Sequence, residues 1–175
     1  MITTRAHLHK LIDLKLPGAE VGSASGIFAL EILSWGISKL YMIDIWEHIP
    51  SIQGMAGEPQ SEHDRRYNEA VERVKGYPAV MMKGLSKNMA KRIPDNSLGF
   101  VYLDACHAEK DVFEDLETWV PKLVKGGVLA MHDYGDVKTY GVQAAAKKFC
   151  HRKYDLIELP EDGKIENIGA YFIKN

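Results

Sequence analysis

Five polar residues close short apolar runs in this chain: Glu20, Asp44, Asp104, His132 and Asp133, with His107 three positions after Asp104. Carboxylates resist burial, so acids repeatedly placed at the ends of apolar runs call for a common reason. Acids with two histidines can do proton chemistry, because an imidazole titrates near ~6.5 and works as a base at neutral pH. His107, His132 and Asp133 are therefore the candidates for proton removal. The bland alternative is a solvated strand end for each acid and a hydrogen-bonded ring for each histidine. The same groups could instead hold a divalent cation, Asp104 and Asp133 being the candidate ligands with His132 beside them. Magnesium prefers oxygen donors, so a histidine there argues against Mg2+. Cys106 reads as a small buried filler rather than a nucleophile.

A second constellation is Glu20-Val21-Gly22-Ser23-Ala24-Ser25-Gly26. Gly22 permits a tight turn and close approach of a ligand to the backbone, and Gly26 permits a helix to pack close to its strand. The spacing is G-x-x-x-G. The dinucleotide pattern G-x-G-x-x-G has a middle glycine that admits a pyrophosphate, and that glycine is missing. The turn suits a nucleotide-like ligand without a pyrophosphate. Asp44 is placed to accept hydrogen bonds from both hydroxyls of a ribose. Trp46 either offers a face to a base or anchors the loop, and the second reading is preferred.

These residues need a scaffold that gathers them. The runs ending at Val21, Ile45, Met82, Leu103 and Met131 read as strands. Helical faces follow over Ala24–Leu33, Tyr67–Val74, Val112–Leu123 (with Pro121 as kink or stop) and Val142–Phe149. Gly126-Gly127 reads as a break before Val128. Leu156–Leu159 and Ala170–Ile173 read as two strands joined by a turn at Pro160–Gly163 with no helix between, hence an antiparallel edge. Alternating strands and helices imply a Rossmann-like, doubly wound α/β sheet, in which ligands sit outside the carboxyl ends of the strands. All five run-ending residues should then share one rim. The 175 residues, 46% hydrophobic and 26% charged with net charge −2, fit one domain spanning 1–175. They exclude disorder and a broadly basic nucleic-acid binder. No apolar run is long enough for a membrane span, the N-terminus lacks signal-peptide character, and two cysteines make no disulfide framework. A soluble, cytoplasmic protein is expected.

The glycine turn with Asp44 resembles the first two motifs of class I S-adenosylmethionine-dependent methyltransferases. The stretch from Pro94 to His107, continuing through Asp115–Leu123 to Gly126–Tyr134, is similar to a small bacterial branch carrying D-x-x-H and a later H-D-Y. The resemblance runs from about Pro17 to Asn175. It implies seven strands, mostly parallel, with the C-terminal strand antiparallel. It implies that Glu20, Gly22, Ser23 and Gly26 line the amino-acid end of S-adenosyl-L-methionine. Asp44, with Ile45 and Trp46 after it, would meet the ribose side, Gly84, Leu85 and Ser86 the adenine, and Asp104 the methionine moiety or the acceptor. Leu85 stands where many relatives carry an acid, and Gly99 replaces an aspartate that commonly precedes the fourth strand.

The activity so implied is methyl transfer to an oxygen of a small molecule or sugar. Orientation can supply about 7–11 kcal/mol in well-aligned models, and a hydroxyl acceptor must also lose its proton. A nicotinamide-dependent oxidoreductase shares the ribose acid but lacks the dinucleotide glycines, and a non-catalytic nucleotide-binding module would keep the fold without turnover. The acids near the rim argue against a nucleic-acid acceptor. The loops at 46–62 and 134–140 are expected to shape the acceptor pocket.

Overall fold

The computed structural model describes residues 4–50, 55–135, 140–159 and 169–175. The expected turn at Pro160–Gly163 and parts of both acceptor loops lie outside the described residues.

Seven strands form one sheet: β1 (Gly18–Val21), β2 (Leu40–Asp44), β3 (Ala79–Lys83), β4 (Leu98–Leu103), β5 (Leu123–Met131), β6 (Ile157–Leu159) and β7 (Gly169–Ile173), in the order β3-β2-β1-β4-β5-β7-β6. β1 to β5 pair in parallel. β7 enters antiparallel between β5 and β6, as the absence of a crossover helix in the tail requires. The helices are α1 (Ile27–Ser34), α2 (Gln60–Arg73), α3 (Ser86–Ala90), α4 (Glu109–Trp119) and α5 (Val142–Cys150). Among the described residues no helix is long and apolar enough to cross a membrane.

Strand alternation divides the core. Val101 and Leu103 of β4 join Leu116, Trp119, Ala145 and Phe149 on one face, while Phe100 and Tyr102 join Phe28, Ile32 and Ala70 on the other. β1 lies between β2 on one side and β4 on the other, so chain order reverses at β1/β4. In a doubly wound sheet that reversal marks the ligand position, beyond the strands' carboxyl ends.

Three local expectations change. The first helix starts at Ile27, not Ala24: Ala24 and Gly26 have φ of 43° and 76°, left-handed values that no α-helix continues through. Gly126-Gly127 does not break the chain. β5 runs through it, because Gly126 N–H donates to Lys174 O (2.7 Å) and Lys174 N–H to Gly127 O (2.8 Å). Cys106 is exposed and its thiol donates to Asp111 (3.0 Å), so it fills no core; Cys150 is the buried cysteine. Pro121 acts as a stop: α4 ends at Trp119 and a short 3-10 turn covers Val120–Lys122.

Candidate active site

Glu20 is carried into the interior by its strand. In the four-residue central β1 it stands in register with Met42 on one side and Tyr102 on the other. Its side chain is 2% exposed and Oε2 has no hydrogen-bond partner. Burial pushes its carboxyl up to about 8, against the pull of Ser23 and with further push from Asp104 and Asp44. Ser23 is buried as well, its hydroxyl donating to the Glu20 carbonyl (3.3 Å).

The glycine turn sits directly on β4. A Cβ at Gly22, whose φ is +95°, would lie 1.9 Å from the Asp104 carbonyl oxygen. The close approach that Gly22 permits is therefore made by the chain's own backbone. Gly26, at φ +76°, lets α2 come in, with Ala70 Cα 3.2 Å from the Cβ it lacks.

Asp44 fastens this turn to the end of β2. Its Oδ2 accepts from Ala24 N–H (2.8 Å) and Oδ1 from Trp46 N–H (3.2 Å). Two bonds leave acceptor capacity on a half-buried carboxylate. Trp46 completes the knot: 1% exposed, it donates Nε1–H to the Ala24 carbonyl (2.7 Å) and meets Tyr67 edge-on at 5.2 Å. Its ring anchors the loop and presents no open face. Ile45 between them is half-buried. Arg73 of α2 donates to the Ser25 carbonyl, holding the turn from outside.

Gly84 N–H donates to the Asp44 carbonyl (2.9 Å), which puts the turn after β3 next to the ribose candidate. Leu85 there is 45% exposed. Ser86 differs from its expected direct role: its hydroxyl donates to Asp115 (2.5 Å) and accepts from Trp119 Nε1–H (2.8 Å), so it is committed inward.

Across the switch point, Asp104, His107, His132 and Asp133 meet. His132 Nδ1 lies 3.0 Å from Asp133 Oδ1 and 3.7 Å from Asp104 Oδ1. His107 Nε2 lies 3.1 Å from Asp133 Oδ2 and 3.6 Å from Asp104 Oδ1, buried and without a well-aligned hydrogen bond. Its ring packs on Tyr140 at 4.4 Å. Asp133 sits between the two imidazoles in a left-handed conformation, φ 53°, a backbone state that persists where surroundings impose it. Burial alone would raise the Asp133 carboxyl. The hydrogen bond and charge of His132, with the charges of His107 and Arg5, outweigh that and hold it below the ordinary range. The group of three that converges within 4.8 Å is Asp104, His107 and Asp133, so His107 and not His132 completes the cation-type cluster among the described residues.

The rim is thus one assembly: Glu20 feels the charges of Asp104 and Asp44, and Asp104 adjoins both histidines. Three residues escaped the sequence reading. Arg5, whose guanidinium lies 4.7 Å above Phe28, lowers both Glu20 and Asp133 and carries no sequence signal. Asp115 and Trp119 did carry one. Asp115 falls on the apolar helical stripe of Val112, Leu116 and Trp119, where an acid is out of place.

The sequence signature of the methyltransferase domain matches residues 19–134, which span the glycine turn through the His132-Asp133 pair. The chain belongs to the methyltransferase domain family. It is an S-adenosylmethionine-dependent methyltransferase, which sets aside the nicotinamide-dependent alternative. Solved structures share the fold at low identity. A putative rRNA methylase from Clostridium thermocellum superposes with a TM-score of 0.70 at 12% identity, covering 97% of this chain and 94% of that one. The O-methyltransferase TomG from Streptomyces achromogenes, solved with S-adenosylmethionine, gives 0.65 at 13% over 97% and 76%. An O-methyltransferase from Bacillus cereus, solved with S-adenosylhomocysteine, gives 0.65 at 9% over 95% and 77%. No curated protein matches the chain by sequence.

Proposed function

We propose that this methyltransferase acts on a hydroxyl oxygen of a small molecule, a sugar among the candidates. The observation that carries this reading is the imidazole of His107 held between Asp104 and Asp133 at the rim. An oxygen acceptor must shed its proton as it attacks, and a base near neutral pH supplies that. S-adenosylmethionine supplies the activated methyl group. Glu20, with its unpartnered Oε2, receives the ammonium of the cofactor's amino-acid end, and the buried Ser23 beside it supports that end. Gly22 and Gly26 shape the turn beneath, and Asp44 accepts the ribose hydroxyls. Gly84 and Leu85 form the adenine wall, Ser86 acting from behind it. His107 takes the acceptor's proton, the two flanking carboxylates stabilise the imidazolium, and His132 clamps Asp133 in place. With the acceptor oxygen in line, the new C–O bond forms as the S–CH3 bond breaks, leaving S-adenosylhomocysteine and a methyl ether.

A second reading rests on the convergence of Asp104, His107 and Asp133 within 4.8 Å. Two carboxylates and an imidazole suit a divalent manganese or zinc ion better than magnesium. In that case the cation would lower the pKa of the acceptor hydroxyl and His107 would serve as a ligand.

The test is methyl transfer from labelled S-adenosylmethionine to a panel of hydroxylated small molecules, amines and RNA, before and after exhaustive chelation. Labelling of a hydroxyl acceptor that survives chelation supports His107 as base. Loss on chelation with recovery by Mn2+ supports the cation. Labelling of RNA or amines alone would overturn the small-hydroxyl proposal.

A further inference from the structure

The turn proposed as the adenine wall cannot hold its own shape. α3, which follows it, has only five residues, and a helix that short is unstable without tertiary support. Leu85 stands out into solvent, and Gly84 is extended through a left-handed φ of 147° over Met89. Support comes from α4. Asp115 and Trp119 are four residues apart, so they share one helical face, and both bond the same Ser86 hydroxyl. Ser86 donates to Asp115 Oδ1 at 2.5 Å and accepts from the Trp119 indole at 2.8 Å, which uses the hydroxyl in both directions and fixes its orientation. Trp119 is fully buried and Asp115 is 9% exposed.

We propose that Asp115 and Trp119 are positioning residues for the adenosine end of the cofactor, acting through Ser86 on the Gly84–Leu85 turn. The proposal rests on the cofactor reading above. A buried acid is a poor choice for mere helix packing, since apolar groups of the same shape fill such a contact without desolvation. Burial indeed pushes the Asp115 carboxyl up to about 6, against the pull of Ser86 and with added push from Glu114 and Asp111. What the acid supplies is direction. Asp115 and Trp119 determine where Ser86 starts α3, and Ser86 determines where Leu85 stands relative to Asp44, whose carbonyl receives Gly84 N–H. Asp115 also lines the niche behind the rim together with His107 and His132, so one helix braces both halves of the site.

The experiment is calorimetric titration of the purified protein with two probes. S-adenosylhomocysteine carries the whole cofactor frame, and 5′-methylthioadenosine carries the adenosine end alone. Trp119→Phe, which keeps an aromatic ring, and Asp115→Leu are expected to weaken both probes by the same factor, about 10-fold, the loss of one buried hydrogen bond. Asp115→Asn retains an acceptor for Ser86 and is expected to bind both probes within about 2-fold of wild type. Trp119→Phe keeps the test available if Asp115→Leu does not fold. Wild-type affinity for both probes in Trp119→Phe and Asp115→Leu would overturn the proposal, as would a failure of Asp115→Asn to restore binding. Absence of S-adenosylhomocysteine binding to the wild-type protein would instead overturn the cofactor reading itself.

Discussion

Replacing Glu20 by Gln should make the cofactor-free protein more stable and its cofactor complex weaker. The carboxyl is raised from 4.5 to about 8 chiefly by burial. The folded protein therefore keeps a proton that the unfolded chain releases between those two values. The penalty is absent below 4.5, grows as pH rises, and is complete above about 8. At about 1.4 kcal/mol per pH unit, it reaches roughly 3 kcal/mol at pH 7 and roughly 5 kcal/mol at pH 9. Gln keeps the shape and never ionises. In a protein of 175 residues, 3 kcal/mol corresponds to a rise of about 6–12 °C in Tm at pH 7, shrinking toward zero at pH 4.5. The assay is thermal unfolding of both proteins without cofactor at pH 4.5, 7 and 9, read as the difference between them so that all other titrations cancel. Titration with S-adenosylhomocysteine should move the other way, with affinity falling about 10- to 100-fold as a charge-assisted bond to the ammonium is lost. Parallel Tm profiles for the two proteins across this pH range would refute the burial argument. Unchanged affinity would refute the ammonium contact.

Asp133→Asn is expected to leave S-adenosylhomocysteine binding intact while lowering methyl transfer by about 10²- to 10⁴-fold, measured with whichever acceptor the panel labels, because the charge beside His107 is removed. Gly22→Ala places a methyl 1.9 Å from the Asp104 carbonyl at a φ of +95°. A destabilisation above about 2 kcal/mol in urea unfolding is expected, with loss of cofactor binding. Trp46→Phe removes the indole donor to the Ala24 carbonyl, and chemical denaturation should show a loss of about 1–2 kcal/mol. Unchanged stability there would mean that the indole bond adds nothing to the anchoring by Asp44 and by packing on Tyr67.

Much of this molecule is written locally. The alternation of apolar strands with amphipathic helices, and a tail with no helix between its last two strands, specify the parallel sheet and its antiparallel end, because each rests on side-chain periodicity and connection length. Acids closing successive runs are legible for the same reason: a parallel sheet brings every such end to one rim. Periodicity does not say which way a side chain turns once it arrives. The chain places Asp115 in an apolar stripe and Ser86 two positions after Gly84, 29 residues apart, and only the packing of α3 on α4 joins them. Trp46 could have faced a ligand or the core, and the approach of Ala24 to Asp44 decides for the core. His107, four residues beyond the end of β4, and not His132 completes the cluster with Asp104 and Asp133, a choice that the spacing of the two histidines does not record. Sequence alone determined which residue types reach the rim. Distances of a few ångströms between separate elements determined how they are used there, because hydrogen bonds and Coulomb forces depend on separations that no spacing along a chain records.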